Sequence, residues 1–88
     1  MTSSPASSHR VVLYEKPGCH LCDRAYELLL GLQREFKLTV ERQDISRDRL
    51  SLEKYWDKIP VVLIDDRTTL VAPIHLADVR AALEKSRA

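Results

Sequence analysis

Val11-Val12-Leu13-Tyr14-Glu15-Lys16-Pro17-Gly18-Cys19-His20-Leu21-Cys22 carries an unbroken apolar run, a turn signal and both cysteines of the chain. Val11 to Tyr14 suits a strand buried on both faces. Pro17-Gly18 marks a turn. A helix is expected to begin near Cys19, because Leu21, Ala25, Leu28, Leu29, Leu32 and Phe36 recur along one helical face. Gly31 weakens the middle of that helix by about 1 kcal/mol relative to alanine. The cysteines thus lie three apart at a strand-to-helix junction. Their spacing puts both sulfurs on one face and within reach of each other. Such a pair can pass between dithiol and disulfide without refolding the chain.

Outward from this segment, Lys37-Leu38-Thr39-Val40-Glu41 alternates and reads as a half-exposed strand. Asp44 or Ser46 caps a short second helix ending near Tyr55. Val61-Val62-Leu63-Ile64 reads as a second central strand, Asp65-Asp66-Arg67 as a tight turn and Thr68 to Val71 as a returning strand. His75 to Lys85 closes the chain as a helix, with Leu76, Val79 and Leu83 on one face. The order β-α-β-α-β-β-α predicts an α/β fold: one mixed four-stranded sheet covered by helices. Residues 1–9, Ser-rich and ending at His9, read as a disordered tail. Residues 10–88 form one domain, which is all that 88 residues allow.

Composition excludes several functions. A formal charge of +1 provides no field for nucleic acid. No apolar run approaches the ~20 residues of a membrane helix. The start of the chain has no basic, apolar or cleavage signature of secretion. Two cysteines are too few for a disulfide-stapled secreted domain, so a reducing, cytoplasmic setting is expected, and near-neutral charge with one small core makes a monomer the default.

Thiol–disulfide exchange needs a thiolate, and a free cysteine has a pKa of ~8.5. A helix N-terminus offers unpaired N–H groups and partial positive charge. Cys19 at that end is the predicted nucleophile; a fall in its pKa to ~7 makes it about half thiolate. Cys22, one turn deeper, is the resolving thiol. Lys16 places an ammonium near Cys19 and favours its thiolate. His20 either does the same when protonated or points to solvent. Asp23 and Glu15 oppose the effect from the surface. A structural zinc site needs four ligands, and only His9, His20 and His75 could join the cysteines. No metal is therefore assigned within one chain. A purely structural disulfide closing so short a loop would constrain little.

With these residues in view, the sequence resembles the glutaredoxins. Val11 to Cys22 is similar to their opening strand followed by Tyr-x-Lys-Pro-x-Cys-Pro-Tyr-Cys, and Lys58-Ile59-Pro60-Val61-Val62-Leu63-Ile64 to their Thr-Val-Pro and central strand. The resemblance implies a thioredoxin fold. It also implies a cis-proline at Pro60 facing the cysteines, and an Ile59 backbone offered to extended substrate. His20-Leu21 replaces the family's Pro-Tyr. Lys58 replaces its threonine. Val71-Ala72-Pro73-Ile74-His75-Leu76-Ala77-Asp78 stands where the glutathione-gripping Gly-Gly-x-Asp-Asp would be, and Asp78 does not match in offset. Glutathione is thus expected at most as a co-substrate. The chain looks most like the short Cys-His-Leu-Cys branch of glutaredoxin-like proteins.

Two functions follow as expectations. One is a thiol–disulfide oxidoreductase with no bound cofactor, acting on protein or small-thiol disulfides and served by a thiol reductant system. The alternative is a non-catalytic binding module that uses the same cysteines to carry a metal or an iron–sulfur cluster. Tyr55 and Trp56, just before Lys58-Ile59-Pro60, either wall the substrate site or pack the second helix onto the sheet.

Overall fold

A computed structural model describes residues 8–86 of the chain. Its elements are β1 (Ser8–Glu15), α1 (His20–Leu32), β2 (Lys37–Asp44), a 3₁₀ turn (Ile45–Arg47), α2 (Arg49–Tyr55), β3 (Val61–Ile64), β4 (Thr68–Val71) and α3 (Leu76–Lys85). The sheet order is β2-β1-β3-β4. β1 and β2 are parallel, while β1–β3 and β3–β4 are antiparallel. This is the mixed four-stranded α/β arrangement that the apolar runs and helical faces predict.

β1 is central, which explains its unbroken apolar run. Val11 and Leu13 point to one face, where Leu29 and Leu32 of α1 and Val79 and Leu83 of α3 pack on them. Tyr14 points to the other face and joins Ile45, Tyr55, Ile59 and Val61. Thus α1 and α3 cover one face, and the 3₁₀ turn and α2 cover the other. Each fully buried Leu, Ile or Val contributes roughly 1.5–3 kcal/mol, so the centre of the sheet carries much of the stability.

Three boundaries differ from the sequence reading. First, α1 stops at Leu32, although Phe36 still packs into the core. Gly31 lies one residue from the helix end, and a Cβ there would meet nothing, so it disturbs no packing. Second, the single helix expected from Asp44 to Tyr55 is split in two. Asp44 caps the 3₁₀ turn by accepting from Ser46 N–H at 2.9 Å, and Asp48 caps α2 by accepting from Ser51 N–H at 3.3 Å. A second capping carboxylate starts a second helix.

Third, the tail predicted over residues 1–9 is corrected at its end; residues 1–7 lie outside the described residues. Ser8 and His9 belong to β1 and pair with Lys37 and Leu38. His9 is only 3% exposed. A composition-based reading missed this because the partner that offsets the cost of burial is distant in sequence. His9 Nδ1 lies 2.7 Å from Asp65 Oδ2, and Arg10 N–H donates to Asp65 Oδ1 at 2.8 Å. The Ser86 hydroxyl donates to Asp65 Oδ2 as well. Asp65 and Asp66 form the β3–β4 turn at φ 53° and 57°, a left-handed conformation that Asp tolerates better than most residues. No helix among the described residues is long and apolar enough to cross a membrane.

Candidate redox site

The site begins where β1 leaves the sheet. Gly18 turns the chain at φ +80°, in a region that side chains disfavour. Cys19 N–H then donates to Lys16 C=O at 3.3 Å, closing the turn. Cys19 itself is the N-cap of α1, with extended dihedrals. Its Sγ accepts from Cys22 N–H at 3.1 Å, taking the position that a serine or aspartate oxygen holds in an ordinary cap. The sulfur therefore faces the unpaired N–H groups and the positive end of the helix dipole. An anion at that atom is stabilised by both.

Cys19 and Cys22 are joined as a disulfide, with Cα atoms 5.2 Å apart. Their surroundings differ. Cys19 is half-buried, whereas Cys22 is 1% exposed, beneath the first turn of the helix. An incoming group can therefore reach the first sulfur and not the second.

Lys16 and His20 are both exposed. Lys16 contributes its carbonyl to the turn, and its charge reaches the Asp44 carboxyl. That carboxyl is held below its ordinary range chiefly by the Ser46 hydroxyl and N–H, with smaller contributions from Arg47 and Lys16. His20 is the first residue of α1. Ile59 and Pro60 lie in the loop before β3, joined by a cis peptide bond. Pro60 is buried and Ile59 half-buried.

Pro60 and Leu21 line one groove of ≈ 210 Å³, with Leu28, Pro73, Ile74 and, as its cation, Arg24. The groove brings Leu21, one of the two residues between the cysteines, together with the proline loop. Leu21 is 61% exposed at its rim. Ala72 and Pro73, joined by a second cis bond, also line the groove. Ala72 N–H donates to Lys58 C=O at 3.3 Å and holds the two proline loops side by side.

Tyr55 takes the packing role, whereas Trp56 is not among the residues that line the groove. Tyr55 is buried with its ring 4.8 Å from that of Tyr14. Trp56 is 63% exposed. His75 caps α3 without a side-chain bond, and Asp78 lies exposed in the first turn of that helix. Among the described residues, no group of three or more His, Cys, Asp or Glu side chains is placed to hold a metal ion.

Two features had no counterpart in the sequence reading. Pro73 followed a strand as an ordinary turn proline would, and only ~5–6% of such bonds are cis. Arg42 of β2 binds Glu15 and Asp23 on either side of the cysteine segment. Nothing in residue spacing links positions on two strands and a helix before their register is known.

Comparison with known proteins agrees with this fold. Residues 10–84 match the family described as Glutaredoxin-like domain (DUF836). No curated protein matches the chain. Among solved structures, one similar chain is the Northeast Structural Genomics target protein XcR50 from X. campestris. It has a TM-score of 0.72 and 27% identity over 85% of this chain and 96% of that one. A mutant thioredoxin from Halobacterium salinarum gives a TM-score of 0.73 at 12% identity, covering 100% of this chain and 97% of its own. Oxidised thioredoxin from Plasmodium falciparum gives 0.67 at 16% identity, over 91% of this chain and 82% of its own. The fold is thioredoxin-like, and with its cysteine pair it fits a redox-type role.

Proposed function

This chain belongs to the family of the glutaredoxin-like domain DUF836, and from that premise we propose that it is a thiol–disulfide oxidoreductase. One observation carries the reading above the others: Cys19 Sγ accepts the Cys22 N–H at the start of α1, while the sulfur of Cys22 is sealed below.

In the reduced protein, the Cys19 thiolate attacks one sulfur of a substrate disulfide. The substrate S–S bond breaks, and one substrate sulfur leaves as a thiolate and takes up a proton. Cys19 is then held in a mixed disulfide. Cys22 loses its proton and attacks Cys19 Sγ, forming the Cys19–Cys22 bond and releasing the second substrate thiol. Two electrons and two protons have passed to the substrate. A dithiol reductant reverses the sequence on the protein. Ile59 and Pro60 position the substrate chain, Lys16 adds positive charge near the attacking sulfur, and His20 does so only when protonated.

Substrates are disulfides in proteins or small thiols, and no resident cofactor is assigned. Glutathione is placed as a secondary co-substrate. The loop after β4 has Ala72-Pro73-Ile74 where glycine backbone would admit a tripeptide, and the groove there is lined by apolar side chains with Arg24 as its one charge. We place the protein as a monomer in a reducing compartment such as the cytoplasm.

The test is a pair of single variants in a disulfide-reduction assay. Cys19→Ser is expected to remove turnover. Cys22→Ser is expected to stop at a mixed disulfide that is detectable by mass. If both variants keep full two-electron turnover, the proposal is wrong. Coupling the assay to glutathione reductase in one arm and thioredoxin reductase in the other identifies the reductant.

A further inference from the structure

Glu15 is the last residue of β1 and Asp23 lies in the first turn of α1, so two carboxylates flank the Cys19–Cys22 segment. Left free, both oppose a negative charge on Cys19. One guanidinium holds them together. Arg42 Nε and Nη2 each donate to an oxygen of Glu15 at 2.7 Å, and Nη2 donates to Asp23 Oδ1 at 3.2 Å. The same guanidinium lies over the Tyr26 ring, 4.1 Å from its centroid.

Strand register explains the placement. Arg42 stands opposite Leu13, which puts Glu15 diagonally ahead on the same face of the sheet. That is the face covered by α1, from which Asp23 and Tyr26 reach down. A planar fork gripping one carboxylate with two bonds is pre-organised in a way that a lysine is not. The side chain of Glu15 is only 14% exposed, so this contact is screened less than a surface pair. Hydrogen bonding to Glu15 is the main reason the Arg42 pKa is raised further.

Other charged groups around the segment are occupied or belong to it. Lys16 precedes it, His20 lies within it, and Arg24 follows on α1. Asp44 at the end of β2 is bonded to Ser46, and Asp57 pairs with Lys58 at 3.2 Å in the loop before Pro60. Glu15 and Asp23 are the two carboxylates beside the cysteines whose charge a single residue controls.

We propose that Arg42 is a positioning residue that sets the reactivity of Cys19, by drawing Glu15 and Asp23 into one ion cluster and away from the attacking sulfur. The inference rests on the reading of Cys19 as the nucleophile. Loss of Arg42 releases two negative charges beside the thiol, so the thiolate becomes harder to form.

The test follows iodoacetamide alkylation of Cys19 against pH in the reduced full-length chain, with folding checked by circular dichroism. Arg42→Gln is expected to move the alkylation midpoint up by about half a unit, which is about threefold less thiolate at pH values below the midpoint. Adding Glu15→Gln and Asp23→Asn to Arg42→Gln is expected to cancel that rise. Glu15→Gln with Asp23→Asn, Arg42 kept, is expected to move the midpoint below that of the unmodified chain, and this variant needs no folded Arg42→Gln protein. The proposal is overturned if Arg42→Gln leaves the midpoint unmoved. It is equally overturned if the triple variant stays as high as Arg42→Gln, which marks lost packing, or if the carboxylate double variant shows no fall. An unmodified chain whose Cys19 alkylates like a free cysteine defeats the oxidoreductase reading instead. The shift between variants then still reports on Arg42.

Discussion

The two ends of β1 are built in opposite ways. At the first end, His9 is buried against Asp65, and the same carboxylate also accepts from Ser86 and from the backbone of Arg10. At the other end the chain leaves the sheet through Gly18 and presents a half-buried Cys19 beside an exposed Leu21. The closed end joins the first strand, the β3–β4 turn and the end of α3 through polar bonds that engage both oxygens of one carboxylate. The open end leaves a sulfur, an apolar rim and a shallow groove uncommitted. Cys19 lies outside both core clusters. Substitutions at one end should therefore change turnover, and substitutions at the other should change stability.

The largest separation is expected from Cys19→Ser. Turnover should fall to background, while the thermal midpoint matches that of the reduced unmodified chain, because Cys19 adds little to either core cluster. The reduced chain is the proper reference, since a short disulfide loop adds some stability of its own. A large drop in the midpoint would show that the open end is structural after all.

Asp65→Ala is the mirror of that experiment. It removes the acceptor of a buried histidine, which costs about 1–3 kcal/mol. It also forces alanine into a left-handed conformation, at a cost of about 1–2 kcal/mol. Their sum corresponds to a fall of roughly 10 °C or more in the thermal midpoint of a domain this size. Disulfide reduction measured well below that midpoint should be unchanged. Turnover falling in parallel would mean that the two ends are coupled through β1.

The contrast also separates what was legible in the sequence from what was not. Cys19, Cys22, the Pro17-Gly18 turn and the apolar runs at Val11 and Val61 are local signals, and all stand where periodicity and turn chemistry put them. Pro60 was legible only through resemblance, because peptide geometry leaves no mark in one sequence. His9 was misplaced in a tail because its partner lies fifty-six residues away. Arg42 escaped for the same reason: it takes the parallel pairing of β1 with β2 to bring it beside Glu15. The local half of the site could be read, and the half made by strand register could not.

A smaller effect belongs to the groove. Leu21 is exposed, so Leu21→Gln, which adds no charge beside Cys19, removes little buried area and is expected to leave the thermal midpoint nearly unchanged. If substrates place an apolar side chain against Leu21, Leu28 and Pro73, losing that contact costs about 1–2 kcal/mol, or about tenfold in KM, with kcat largely kept. Equal KM values for both proteins would remove the groove from the substrate path.

The smallest effect tests the closed end without breaking it. Burial alone raises the Asp65 carboxyl, but the bonds it accepts from His9, Ser86 and the Arg10 N–H outweigh this and hold it below its ordinary value. The unfolded chain, with an aspartate pKa of about 3.9, therefore takes up the proton first as the solution is acidified. Stability contributed by the ionised carboxylate is whole above that value and is lost as pH falls through the lower folded one. Asp65→Asn keeps an acceptor and tolerates the left-handed turn, so it should cost only about 1 kcal/mol at neutral pH. Denaturant unfolding of both proteins between about pH 5 and pH 2 should show that gap closing as acid is added, because only the unmodified chain has this carboxylate to neutralise. Asp44, whose carboxyl is also held low, is present in both proteins and cancels from the difference. A gap that stays constant over the whole acid range would mean that the charge of Asp65 contributes nothing to the latch, leaving its hydrogen-bond geometry alone to hold His9 in place.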